Sequence, residues 1–164
     1  VPIPIWLDLT GEGIQSAVQF FQRALEDAKF RLADVLGTQP EVPDLVPGQP
    51  PAPILGRVLP QWDSAITAKC GRRLRLILLL DECEQIAERD WAPDLYSSLR
   101  SLLVGAGTRS ILKVVMVGSH GFLTRVRQEG SPLRNVLQYH TLRVFSNEAA
   151  RQLVVQPTHG GLAE

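Results

Sequence analysis

Leu74-Arg75-Leu76-Ile77-Leu78-Leu79-Leu80-Asp81-Glu82 is the stretch on which the fold turns. Its apolar residues form a continuous run rather than an alternating one, which predicts a strand covered on both faces in a parallel sheet. The run is far shorter than the roughly 20 residues a membrane helix requires, and short for any helix. It ends on two adjacent carboxylates, each of which must be solvated or paired at the mouth of a core.

Upstream, Ile3, Ile5, Trp6, Leu7 and Leu9 predict a strand over Ile3 to Leu9, broken by Thr10-Gly11-Glu12-Gly13. From Ile14, apolar residues recur at three- and four-residue steps through Val18, Phe21, Leu25, Ala28, Leu32 and Val35, predicting a helix that ends near Gly37. Seven prolines between Thr38 and Pro60 predict an irregular surface loop over residues 38–60. A short helix over Gln61 to Cys70 follows, with Trp62, Ala65 and Ile66 along one side.

Downstream, Pro93 to Val104 reads as a helix with its proline in the first turn and Leu95, Leu99, Leu102 and Leu103 facing inward. Ile111 to Val117 is a second buried strand that stops at Gly118-Ser119-His120. Tyr139 to Phe145 alternates as a final strand, and Ser146 caps a helix over Asn147 to Val155 stopped by Pro157. Strands alternating with helices imply an α/β domain with right-handed crossovers and a mostly parallel sheet.

A chain of 164 residues, 45% of them hydrophobic, is the size of one domain with a real core. Lys plus Arg equals Asp plus Glu at 17 each, so net charge gives no general affinity for nucleic acid or an anionic membrane. No membrane span and no signal peptide is expected. Cys70 and Cys83 have no metal-ligand spacing with His120, His140 or His159, and read as reduced thiols of a cytoplasmic protein. The absence of an initiator Met, and an end at Gln156 to Glu164 without a clear element, suggest a piece of a longer protein.

In an open parallel sheet, ligands bind outside the carboxyl ends of the strands. Asp8, the pair Asp81-Glu82, and Ser119 stand at three such ends. Two carboxylates at one strand end suit a magnesium nucleotide, one holding the hydration shell of Mg²⁺ and the other orienting or deprotonating the attacking water. A bland reading competes with each: the carboxylates begin a solvated loop, and Ser119 forms a turn.

Leu76-Ile77-Leu78-Leu79-Leu80-Asp81-Glu82 resembles the Walker B motif of AAA-type and related signal-transducing (STAND-like) P-loop ATPases. Val114-Val115-Met116-Val117-Gly118-Ser119 resembles their sensor 1 strand, and Ile3 to Leu9 their second strand. Ser131-Pro132-Leu133-Arg134-Asn135 and Leu142 to Arg151 are similar to the segment leading into the fifth strand and the helix after it. The resemblance spans nearly the whole chain, with the proline-rich loop as an insertion. It implies a P-loop NTPase-like three-layer sandwich, ATP as ligand, Asp81 as the Mg²⁺-associated carboxylate, Glu82 as catalytic base and Ser119 as sensor 1. It also implies an arginine finger offered to a neighbouring subunit of a homo-oligomer, with Arg134 preferred over Arg125 and Arg127.

One element of the pattern is missing: G-x-x-x-x-G-K-[ST] occurs nowhere in the chain. Without it there is no backbone cradle and no lysine for the phosphates. The family order places that loop and the first strand upstream of Val1, with the strand lying between the last strand and the sensor 1 strand. The expected function is therefore an ATP-hydrolysing switch or motor domain acting on a protein effector. Two alternatives remain open. One is a non-catalytic P-loop-like interaction scaffold. The other is a DNA-associated helper ATPase, for which Arg72, Arg73 and Arg75 form a local basic cluster.

Overall fold

The computed structural model describes residues 1–7, 9 and 13–155. Three parallel strands, β1 (Pro2–Leu7), β2 (Arg75–Leu80) and β3 (Leu112–Met116), form one sheet in the order β1-β2-β3. Residues Ile5, Leu78 and Val114 lie side by side in one row across the sheet, and Trp6, Leu79 and Val115 in the next.

The first and second rows face opposite sides. Ile3, Ile5 and Leu7 alternate with exposed Pro2, Pro4 and Trp6. The Val1 carbonyl accepts the Arg75 N–H at 2.8 Å, so the backbone of the odd-numbered residues of β1 faces β2. Pro2 and Pro4 therefore turn their missing N–H groups toward the outer side, and β1 is an edge strand by its chemistry.

Helix α1 (Ala17–Leu36) packs on β1, and α4 (Ala92–Val104) on β3. Helix α2 (Ala52–Cys70) packs against both helices. Both crossovers step the same way across the sheet, and right-handed connections then put their helices on the same face. One contiguous core results, with Phe20, Phe21, Leu32, Leu59, Ile66, Leu78 and Leu95 fully buried.

The opposite face stays open among the described residues. Trp6 is 58% exposed and Val115 48%, with Leu79 half-buried between them. The chain is mixed α/β with a small three-strand parallel sheet, and among the described residues these helices cover one face of it.

Local chemistry explains the element ends. The Ser16 hydroxyl accepts the Gln19 N–H at the start of α1, and Gly37 in the left-handed region closes it. The loop expected over 38–60 ends at Pro51, because α2 begins at Ala52. Pro53 sits in the first turn, where a missing N–H is no loss. Pro60 is tolerated inside α2, where Leu55, Val58, Leu59, Trp62 and Ile66 bury one continuous stripe. One short helix, α3 (Glu84–Ala87), was not foreseen, while α5 (His120–Arg127) follows β3 where the alternation of strands and helices calls for a helix.

Tyr139 to Phe145 is not a strand. Its residues pair with none of the three strands, and Leu142 and Val144 stand 91% and 96% exposed. Alternation encodes a preference, whereas a strand needs a neighbour to take its backbone hydrogen bonds. Here Tyr139 is held back: its hydroxyl donates to Leu133 O at 3.4 Å and Arg134 O at 3.2 Å, and Arg127 lies 4.4 Å above its ring. Helix α6 (Asn147–Val155) follows as expected, with the Ser146 hydroxyl accepting the Ala149 N–H. No helix among the described residues is long and apolar enough to cross a membrane.

Candidate functional site

Parallel strands point their carboxyl ends the same way, so the ends of β2 and β3 meet at one edge of the sheet. Their ladder continues past the strands. Val117 N–H donates to Leu80 O at 2.8 Å, and Cys83 N–H donates to Val117 O at 3.0 Å. These two bonds place Asp81 and Glu82 beside Gly118 and Ser119.

Asp81 is half-buried, and one of its oxygens accepts the Glu82 N–H at 2.9 Å. Glu82 is exposed and has φ of 51°, the only positive φ among the described non-glycine residues. A glutamate in the left-handed region carries a conformational cost, and such residues persist where surrounding structure imposes them, often at functional sites. The imposing structure is the chain reversal from β2 into α3, pinned by Cys83.

Cys83 is fully buried, its thiol 3.5 Å from Leu80 O. Burial pushes that thiol up to about 12, with a backbone hydrogen bond from Val117 opposing and the charges of Glu84 and Asp81 adding to the rise. It is a packing group and not a nucleophile. Nearby, burial pushes the Tyr96 hydroxyl up to about 12, helped by Cys83 and opposed by Arg125.

Ser119 has partners for its hydroxyl oxygen, its carbonyl and its N–H. Its hydroxyl accepts the Phe122 N–H at 3.5 Å as the cap of α5, its carbonyl accepts the Leu123 N–H at 3.2 Å, and its N–H donates to Glu84 Oε2 at 3.2 Å. Glu84 was missed in the sequence, where it reads as the third acidic residue of a loop. Gly118 leaves room for it: a Cβ there would stand 2.9 Å from the same Glu84 oxygen and 2.9 Å from the Phe122 ring.

The arginine candidates separate. Arg125 donates to Ala87 O at 2.7 Å and lies 3.9 Å from Glu88, tying α5 to α3. Arg127 is stacked on Tyr139. Arg134 is exposed in the turn after α5 and makes no ion pair among the described residues. In the basic cluster, Arg73 pairs with Asp63 at 2.7 Å, while Arg72 and Arg75 are exposed. Asp8 lies outside the described residues.

No group of three or more His, Cys, Asp or Glu converges as a metal site among the described residues. A hydrated Mg²⁺ needs less, since one or two carboxylates suffice when phosphates and waters complete the octahedron. Asp81 has one oxygen engaged by the Glu82 N–H and fits that role through its other oxygen. A depression of about 430 Å³ between α2 and α4, lined by Pro53, Ser98, Ser101, Leu102 and Thr108 among others, contains none of these residues. No family model, curated protein or solved structure matches the chain.

Proposed function

We propose that this chain is the Asp81-Glu82 portion of an ATP-hydrolysing domain of the AAA-type P-loop class. The observation that carries the reading is that Asp81-Glu82 and Gly118-Ser119 follow the carboxyl ends of two adjacent parallel strands, joined there by the bonds of Val117 to Leu80 and Cys83.

In this reading Asp81 holds the hydration shell of Mg²⁺, which neutralises charge on the triphosphate when bound. Glu82 orients a water and takes its proton as the water oxygen bonds to the γ-phosphorus. The bond from that phosphorus to the bridging oxygen breaks, giving ADP and phosphate. Ser119 follows the strand end, and its hydroxyl, which accepts the Phe122 N–H as the cap of α5, keeps its own O–H to offer to the terminal phosphate. Arg134, exposed and without an ion pair among the described residues, suits an arginine finger reaching a neighbouring subunit.

The phosphate cradle belongs upstream of Val1. Two features support that placement. Among the described residues β3 has no strand on its outer side, which is where the resemblance puts the strand carrying the P-loop. The open face at Trp6, Leu79 and Val115 is apolar and has no covering layer among the described residues.

The test is the Glu82→Gln variant of the protein carrying its upstream segment. Loss of turnover with ATP still bound supports the reading; undiminished turnover removes Glu82 as base. A protein that neither binds nor hydrolyses ATP favours the non-catalytic scaffold.

A further inference from the structure

Three carboxylates cluster after β2, and they do not face the same way. Asp81 bonds its own neighbour. Glu82, held at positive φ, is exposed. Glu84 alone reaches across to the end of β3, where Oε2 accepts the Ser119 N–H at 3.2 Å. The approach is close enough that any side chain at 118 would collide with that oxygen.

This contact joins two short elements that are also tied through Arg125. Helix α3 is four residues long, and α5 eight. They are linked by the Glu84–Ser119 bond at one end and by Arg125 to Ala87 O at the other. The first bond holds the backbone N–H of Ser119, the residue just before α5, against Glu84. The Ser119 hydroxyl is the cap of α5, so the residue held by Glu84 is the one that caps the helix.

We propose that Glu84 is the positioning residue of this site, its carboxylate fixing the Ser119 hydroxyl and the start of α5 against the end of β2. The proposal rests on the reading that the site hydrolyses ATP. It assigns Glu84 no proton transfer and no contact with substrate. When the Ser119 hydroxyl donates to a terminal phosphate while still accepting the Phe122 N–H, the Glu84 bond to the Ser119 N–H keeps the backbone that carries the hydroxyl in place. Gly118 is part of the same device, as the residue that admits the carboxylate.

The experiment uses Glu84→Ala and Glu84→Gln in the protein carrying its upstream segment, with Glu82→Gln as control. Amide exchange at Ser119 and through α5 is followed beside kcat and KM for ATP. Glu84→Ala is expected to raise exchange at Ser119 about tenfold or more, the scale of losing a hydrogen bond to a charged acceptor, and to lower kcat about tenfold with little change in KM. Glu84→Gln keeps an acceptor oxygen and is expected to recover most of both. Unchanged exchange in Glu84→Ala overturns the proposal whatever the turnover. So does a Glu84→Gln variant with protected Ser119 but turnover as low as Glu84→Ala, since charge rather than position would then matter. If Glu82→Gln hydrolyses ATP normally, the assignment of Glu82 as base fails, and exchange at Ser119 still decides whether Glu84 holds the turn.

Discussion

Asp63, in the middle of α2, accepts the Leu74 N–H at 2.8 Å while its other oxygen meets Arg73 at 2.7 Å. One buried carboxylate thereby fixes the start of the central strand to the helix that precedes it. Asp63→Ala leaves the Leu74 N–H without its partner in the core. The expected loss is about 1–3 kcal/mol of unfolding free energy, measured by urea denaturation. Asp63→Asn keeps an acceptor and should lose less. Equal losses in the two variants would show that the Leu74 bond contributes nothing.

Glu82 sits at φ of 51°. Replacing it with glycine relieves a left-handed glutamate at the cost of a more flexible unfolded chain, so the net effect is expected to lie within about 1 kcal/mol of zero and on the stabilising side. Thermal unfolding of Glu82→Gly checks this. A clear fall in Tm would mean that the Glu82 side chain makes a contact that holds the fold.

Gly118→Ala places a methyl 2.9 Å from both Glu84 Oε2 and the Phe122 ring. The carboxylate or α5 must move. The expected loss is about 1–3 kcal/mol, the range for overpacking, together with faster exchange of the Ser119 amide. Wild-type stability with wild-type exchange would show that the turn has slack which the close approach does not reveal.

Cys83 titrates at about 12 in the fold against an ordinary 9.0, and Tyr96 at about 12 against 10.0. Both groups are neutral in either state at pH 7, so they add no pH dependence there. Above it the unfolded chain loses protons that the folded chain keeps. Stability then falls by up to about 1.4 kcal/mol per pH unit for each group, until pH passes the folded values. Denaturation midpoints measured from pH 8 to 11 should decline, and Cys83→Ala combined with Tyr96→Phe should flatten that decline. The same burial predicts that iodoacetamide modifies Cys70 in the folded protein and Cys83 only on unfolding.

The Tyr96 hydroxyl is buried without a hydrogen-bond partner among the described residues. Removing an unpaired polar atom from a core recovers its desolvation cost, so Tyr96→Phe is expected to be neutral or to stabilise by about 1 kcal/mol at pH 7. Destabilisation in urea titration would reveal a partner for that hydroxyl.

The sequence by itself determined the strands and the main helices. Leu76, Leu78 and Leu80 are apolar because they enter a core, and Phe21, Leu25, Ala28 and Leu32 recur because one helical face must be buried. It also determined that Asp81, Glu82 and Ser119 stand just beyond strand ends, since a run of apolar residues stops where the core does. Its misjudgements came where a residue type has two uses. Prolines that mark a loop also open a helix, as Pro53 does, and the alternation in Tyr139 to Phe145 cannot report whether a neighbouring strand is present. Only the tertiary structure decided that the helices covering the sheet lie on one face, because the direction of each crossover depends on which strands become neighbours. It also decided the site's geometry. The Glu84 bond to Ser119 spans 35 residues of chain, and no local pattern encodes a contact made only when the ends of two strands are brought side by side.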